Sequence, residues 1–173
     1  MPATLAEQLG YRLPPANAFQ RMVWTVTGTR GGAWLFARSA HHLDRGMLRL
    51  TGGRSTAAGV IAGLPPVFVT MTGARSGVQR TVPLIGIPSG GDIGLIGTRF
   101  GQSGTPAWYF NLKKTPEVQV RFGGVTAPAI AREVEGDAHD AVWEEGCRLY
   151  PGYAAYARRI TDRAIHIMVL SAR

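Results

Sequence analysis

The chain has 173 residues, of which 45% are hydrophobic and 17% are charged, and its formal net charge is +8. This composition is typical of one soluble domain with a buried core, and no apolar run is long enough to span a bilayer. Cys147 is the only cysteine, which excludes an intrachain disulfide and a cysteine zinc site; without a signal-like N-terminus, we expect a cytoplasmic protein.

The positive charge is concentrated in the first two thirds of the sequence. Residues 1–66 carry seven arginines against two acidic residues, and residues 67–116 carry five basic residues against Asp92 alone. Residues 117–173 are nearly balanced, with seven arginines against eight acidic residues. Such an excess favours anionic partners, and composition leaves a phosphorylated cofactor, an acidic lipid surface and nucleic acid open.

Two helices are predicted in a helical N-terminal extension, residues 1–65. Residues 17–26 follow Pro14-Pro15 with Asn17 as the expected N-cap. Residues 33–50 place apolar side chains at helical spacing with arginines off that stripe. This second helix either packs on its own domain with a solvated face, or rests on an anionic membrane or covers a ligand.

After this extension the sequence predicts a barrel domain, residues 66–173. Six strands are expected, at 67–71, 81–88, 93–98, 118–122, 126–134 and 165–170. Helices are expected at 106–114, 137–150 and 150–159, with Asp137 as the N-cap of the second. The first three strands are expected to form a meander. Because no βαβ alternation appears, we predict an α+β fold built on a split or closed antiparallel barrel.

The loop between the first two strands, Thr72 to Arg80, has the composition of a phosphate-binding turn. Gly73 and Gly77 allow close backbone approach, and the arginines add fixed positive charge. Hydroxyls in the same loop add hydrogen-bond donors. The same residue types also fill ordinary hairpin turns, so this loop alone leaves both interpretations open.

A second cluster, Thr98 to Thr105, lies between a predicted strand end and a predicted helix N-terminus. Arg99 and the glycines of this segment suit an anionic group there, because the helix dipole favours negative charge. An ordinary connecting loop is the alternative interpretation.

Three tyrosines at helical spacing, Tyr150, Tyr153 and Tyr156, form a third cluster. Phenol rings stack on aromatic ligands and phenolic hydroxyls donate protons, although the same spacing is typical of a packing face. The histidines lack metal-ligand spacing and no nucleophile elbow is present, so we predict no metal site.

Taken in order, these motifs resemble the deazaflavin-dependent nitroreductase family, the split-barrel proteins that bind coenzyme F420. The resemblance runs from about Pro66 to Leu170. The motifs that carry it are Thr72-Gly73-x-Arg75-Ser76-Gly77-x-x-Arg80 with Val82-Pro83-Leu84; Thr98-Arg99-x-Gly101 before Pro106-Ala107-Trp108-Tyr109-x-Asn111-Leu112; Pro116-Glu117-Val118-x-Val120; and Tyr150-Pro151-x-Tyr153-x-x-Tyr156.

The resemblance implies an enzyme that transfers a hydride from reduced F420 to a quinone, nitroaromatic or activated-alkene acceptor. It implies catalytic roles on the acceptor side for the three tyrosines. It implies coenzyme contacts for Thr72, Gly73, Arg75, Ser76, Gly77, Arg80, Val82, Pro83, Thr98, Arg99, Pro106, Trp108 and Asn111. The chain departs from the family pattern at Ala74, where a basic residue is usual, and at Phe100, where glycine is common.

Other interpretations stay open on the sequence alone. One is a split-barrel reductase that uses FMN. Another is a non-catalytic basic protein that binds F420 or sits on an acidic membrane at its inner face through residues 33–50. Nucleic acid is not an expected partner, since no recognised binding module is present. The sequence does not indicate an oligomeric state.

Overall fold

The computed structural model describes residues 2–13 and 64–173. The helices predicted at 17–26 and 33–50 lie outside the described residues. Those residues contain a sheet of seven strands, four α-helices and a 3-10 turn at Arg99–Gly101. The strands are β1 Val67–Thr72, β2 Gln79–Leu84, β3 Gly86–Ser89, β4 Asp92–Ile96, β5 Glu117–Phe122, β6 Val125–Val134 and β7 Ile167–Ala172. The helices are α1 Leu5–Leu9, α2 Ala107–Lys114, α3 Gly136–Leu149 and α4 Gly152–Ala157.

The sheet is antiparallel and curled into a half-barrel. Its strand order is β2-β1-β5-β6-β7-β4-β3, so β2 and β3 lie at its two ends. Only Ile85 separates these strands in the chain, and one residue reaches only about 7 Å between its neighbours. The two sheet ends must therefore come together at this seam, which confirms the predicted split-barrel fold.

The predicted strand 81–88 and the predicted meander are wrong in detail. The run divides at Ile85: β2 pairs with β1, whereas β3 pairs with β4. The apolar pattern continues through the division because both halves contribute buried or half-buried side chains. Periodicity reports burial, and it does not show which strand each half pairs with.

The predicted N-cap of the long helix is also wrong. Helix α3 begins at Gly136, whose φ of 55° lies in the left-handed region, and its N-cap is Glu135 without a side-chain capping bond. Asp137 lies in the first turn instead. There its charge complements the helix dipole rather than satisfying a backbone donor directly.

Helix α1 closes one side of the barrel core. Thr4 and Glu7 form a reciprocal capping box at its start, and Gly10 ends it in the left-handed conformation. Leu5 and Leu9 are buried and pack with the side chains inside the sheet. The helix has only five residues, so its stability comes from this packing rather than from helix propensity.

Tyr11 fastens this N-terminal segment to the seam. Its hydroxyl donates a 2.7 Å hydrogen bond to the carbonyl of Gly86, the first residue of β3. Its ring meets the edge of Phe122 at a centroid distance of 4.8 Å. Burial raises the pKa of the Tyr11 phenol, so the group remains a donor at every physiological pH.

Replacing Tyr11 by phenylalanine tests this attachment. Tyr11→Phe keeps the ring but removes a buried donor, and we expect the free energy of unfolding to fall by about 1 kcal/mol. Urea unfolding followed by tryptophan fluorescence measures the change. Gly86→Ala is a second variant, because an added Cβ would lie 2.7 Å from the Tyr11 hydroxyl. Unchanged midpoints for both variants would contradict a structural role for this contact.

Candidate functional site

The glycine- and arginine-containing loop 72–80 is fixed to helix α2. The backbone N–H of Ala74 donates to Oδ1 of Asn111 at 2.9 Å, and the Nζ of Lys114 donates to the Ala74 carbonyl at 2.6 Å. Asn111 and Lys114 are three residues apart and so share one face of the helix. Both polar groups of one loop residue are therefore held by a single helix.

The loop also turns tightly on itself, as predicted. Gly73 donates its N–H to the carbonyl of Val78 and accepts from the N–H of Gly77. An added Cβ on Gly73 would lie 2.6 Å from Oγ of Ser76, and Gly77 has a φ of 67°. Both glycines are thus required by the turn itself.

The arginines of this loop are available to a ligand. Arg75 and Arg80 are exposed, and neither forms an ion pair within residues 2–13 and 64–173. Thr72 is the last residue of β1 and pairs with Gln79 of β2. Two predicted contacts lie on the neighbouring strand β2: Val82 is half-buried against the core, and Pro83 is exposed.

The second cluster forms an unusual turn after β4. Thr98 is buried with right-handed backbone, and it is followed by Arg99 and Phe100 with φ of 48° and 57°. A right-handed residue followed by a left-handed one is a common anion-binding arrangement, because it directs successive N–H groups toward one point. Here the N–H of Thr98 already donates to the Ile96 carbonyl at 3.1 Å, which leaves the N–H groups of Arg99 and Phe100 for such a role. Arg99 donates from Nη1 to the carbonyl of Ser103 at 2.8 Å.

Arg163, which was not predicted as a site residue, holds the start of this turn through hydrogen bonds to backbone carbonyls. Its Nη1 donates to the Gly97 carbonyl at 3.0 Å and its Nη2 to the Thr98 carbonyl at 3.3 Å. Partial burial and the nearby charge of Arg99 lower the pKa of Arg163. Arg163 lies far along the chain from the turn, so no local sequence pattern could reveal the contact.

The tyrosine cluster packs against the same turn. Tyr150, Tyr153 and Tyr156 are all buried, and the hydroxyls of Tyr150 and Tyr156 lie 2.8 Å apart. Tyr156 meets the ring of Phe100 edge to face at 6.2 Å. Burial raises the pKa of Tyr153 and of Tyr156. The second and third clusters are therefore brought together, and the three phenols form a packed group.

Helix α2 links these regions. Pro106 is buried at its N-cap, directly after the second cluster, whereas Asn111 and Lys114 hold the first loop near the C-terminal end of the helix. Eight helical residues span about 12 Å. Trp108 packs into the barrel core on another face of the helix. Apart from Val82 and Pro83 on β2, the predicted coenzyme contacts are thus distributed along one helix and near its two ends.

A polar cluster around Glu133 was not predicted from the sequence either. Its carboxylate accepts from the Tyr109 hydroxyl at 3.0 Å and from Lys113 Nζ at 2.7 Å, and it lies 2.8 Å from Nδ1 of His166. The rings of Tyr109 and His166 stack with centroids 4.2 Å apart. Tyr109 and Lys113 are four residues apart on α2, but their partners lie on β6 and before β7.

This cluster fixes a further face of α2. Burial raises the pKa of Glu133, but the hydrogen bonds from Lys113, His166 and Tyr109 outweigh that effect and leave the pKa below its ordinary value. Burial and the Glu133 carboxylate raise the pKa of the Tyr109 phenol. The helix is consequently held by the core, by the loop and by this charged group.

Neither a metal site nor a membrane-spanning helix is evident in the described part of the chain. Residues 2–13 and 64–173 contain no group of three or more His, Cys, Asp or Glu side chains able to hold a metal ion. Within the same ranges no helix has the length and apolar character needed to cross a bilayer.

Comparisons with known proteins point to one group of reductases. A family model for F420H(2)-dependent quinone reductases matches residues 42–172. An F420H(2)-dependent quinone reductase of Mycobacterium tuberculosis is 29% identical over 122 residues, covering 65% of this chain and 78% of that protein. A solved F420-H2-dependent reductase, FDR-A, is 37% identical with a TM-score of 0.56, covering 61% and 93% of the two chains. A solved structure described as a domain-swapped dimer is 30% identical with a TM-score of 0.59, covering 80% and 97%.

Replacing Glu133 by glutamine tests the polar cluster through its pH dependence. A lowered pKa in the folded protein means that the carboxylate stabilises the fold above the unfolded pKa, about 4.3. The stabilisation is lost as the pH falls through the lower, folded pKa. We therefore expect Glu133→Gln to have a lower melting temperature than the wild type at pH 7. The difference between the two melting temperatures should shrink as the pH is lowered.

Thermal melts from pH 7 down to pH 3 measure this difference. Glu144→Gln is the matched control, because Glu144 is an exposed carboxylate elsewhere, on α3. A gap between Glu133→Gln and the wild type that stays constant across this range would show that the carboxylate charge is not responsible.

Proposed function

The chain belongs to the F420H(2)-dependent quinone reductase family, and from this membership we propose that its acceptor is a quinone. It is an F420-dependent oxidoreductase, which confirms the coenzyme and the reaction type predicted from the sequence. FMN as coenzyme and a purely non-catalytic role are not favoured. The acceptor and the roles of individual residues are proposals.

The loop 72–80 is the proposed binding site for the anionic tail of the coenzyme. The observation that supports it is the pair of exposed guanidinium groups, Arg75 and Arg80, on a loop whose backbone is already fixed to α2. Thr72 and Ser76 add hydroxyl donors. Phosphate and carboxylate oxygens accept hydrogen bonds only, so a site rich in donors and without acidic side chains fits this group.

The turn at Thr98 and Arg99 and the helix α2 form the rest of the proposed coenzyme site. Reduced F420, when bound, supplies the hydride. The turn offers backbone N–H groups and the charge of Arg99, which is exposed. Asn111 uses Oδ1 to hold the loop, so its amide nitrogen is the atom able to donate toward the coenzyme. Trp108 supports the helix from inside the core.

The tyrosine cluster is proposed to lie on the acceptor side. A quinone that receives a hydride gains negative charge on an oxygen, and a nearby hydroxyl stabilises that charge or delivers a proton. Their raised pKa values keep Tyr153 and Tyr156 neutral. They can therefore donate hydrogen bonds at all physiological pH values. The hydroxyl of Tyr150 forms a hydrogen bond with the hydroxyl of Tyr156, and this contact orients both groups.

Contact with a membrane remains a separate hypothesis. Quinones carrying long apolar chains reside in bilayers, and the basic helix predicted at 33–50 would suit an anionic lipid surface. That helix lies outside the described residues. The location that we propose is the cytoplasm, and peripheral membrane contact is the additional hypothesis that residues 33–50 would carry.

Charge reversal in the loop tests the proposed tail site. We expect Arg75→Glu combined with Arg80→Glu to raise the Kd for F420 by about 10- to 100-fold, since attraction becomes repulsion at two positions. The difference should narrow as salt is added, because exposed charges are screened. Isothermal titration at low and high ionic strength measures both effects. Arg173→Glu, an exposed arginine beyond β7, is the matched control.

Turnover by the same proteins tests the function itself. Anaerobic mixing of wild type, F420H2 and a simple naphthoquinone should give stoichiometric oxidation of the deazaflavin, followed by its visible absorbance. The double variant should need higher F420H2 concentrations for the same rate. Tight FMN binding with FMN-dependent quinone reduction, and no binding of F420, would overturn the proposal.

A further inference from the structure

The turn after β4 contains two non-glycine residues whose backbone lies in the left-handed conformation. Among residues 2–13 and 64–173, only Arg99 and Phe100 have positive φ without being glycine, and they are consecutive. Any residue with a Cβ is strained in this conformation, whereas glycine adopts it freely. A strained pair persists only where surrounding contacts hold it, and such pairs are concentrated at functional sites.

Contacts from the segment before the neighbouring strand β7 hold this turn in place. Arg163 bonds the carbonyls before the turn, and the N–H of Gly97 donates to the carbonyl of His166 at 2.9 Å. At its far end, an added Cβ on Gly101 would lie 3.3 Å from Tyr156 and from Arg159. The turn therefore has little freedom to relax.

The strain at Phe100 is not offset by burial of its side chain. The residue is 41% exposed, and its ring contacts Tyr156 only edge to face at 6.2 Å. Most large apolar residues of the described chain are buried, and the exposed ones number four: Val78, Phe100, Phe110 and Val125. Of these, Phe100 alone combines an exposed ring with left-handed backbone. Within residues 2–13 and 64–173, the contacts of this side chain do not explain a phenylalanine at this position.

We propose that Phe100 is a specificity-determining residue for the acceptor. Its ring forms an apolar wall beside the tyrosine cluster, and it covers an apolar substituent on the quinone ring. This inference rests on the proposed function, because it assumes that the acceptor binds next to Tyr156. The preferred acceptor is then a quinone with a hydrocarbon side chain rather than the bare ring.

The test compares two naphthoquinones that differ only in a prenyl substituent. Their Kd values are measured by tryptophan quenching in protein loaded with oxidised F420, where no turnover occurs, and kcat/KM is measured with F420H2. For the prenylated quinone we expect Phe100→Gly to raise the Kd and to lower kcat/KM by about tenfold each. For the unsubstituted quinone both values should change less than twofold. Phe100→Leu, which keeps an apolar side chain, should recover most of the loss.

Two controls separate this effect from unfolding and from loss of coenzyme. Phe110→Ala removes another exposed phenylalanine, on α2, and should leave the preference between the two quinones unchanged. Phe100→Gly should bind F420 as the wild type does. It should also melt at the same temperature or higher, because the backbone strain is relieved.

The outcomes distinguish the inference from the proposed function. If the wild type reduces both quinones and Phe100→Gly shifts their Kd values equally, or not at all, the inference is wrong while the function stands. A clear fall in melting temperature would also overturn it, since the ring would then support the fold. If the wild type reduces neither quinone with F420H2, the proposed function fails first.

Discussion

The arrangement of the site depends on how one residue of the loop, Ala74, is held. Ala74 has its N–H bonded to Asn111 and its carbonyl bonded to Lys114, both from helix α2. A loop that must bind a flexible anion would otherwise lose conformational freedom on binding, which weakens affinity. Here that ordering is already present in the folded chain. The exposed arginines of the loop therefore start from a fixed backbone.

Helix α2 can serve as this support because several of its faces are engaged at once. Trp108 and Leu112 pack in the core, and Tyr109 and Lys113 bond Glu133. The strained turn at Arg99 and Phe100 leads into the same helix, and Arg163 bonds the backbone carbonyls at the start of the turn. A shift of α2 would disturb all of these contacts together, so the proposed coenzyme and acceptor regions are mechanically connected.

The sequence predicted the parts of this structure that depend on local pattern. The strands, the tight turn at Gly73 and Gly77, and the helix after Pro106 follow from spacing and residue type over a few positions. The seam at Ile85 did not, because its two sides pair with strands far apart in the sheet. The contacts of Glu133 and Arg163 join residues 20 to 66 positions apart. The periodicity of apolar residues along a strand or helix does not indicate contacts between residues so far apart in the sequence.

The most direct test of this account is the affinity of F420 for Asn111→Leu. Leucine has a similar size but cannot accept the Ala74 N–H, so the loop loses one of its two attachments to α2 while its arginines remain. Asn111→Asp, which keeps an acceptor oxygen for Ala74 but has no amide donor for the coenzyme, separates this loss from the loss of a direct coenzyme contact. Isothermal titration should show a Kd raised about tenfold, equivalent to about 1.4 kcal/mol. A Kd equal to that of the wild type, with the variant fully folded, would show that the loop needs no support from Asn111 and would contradict the account.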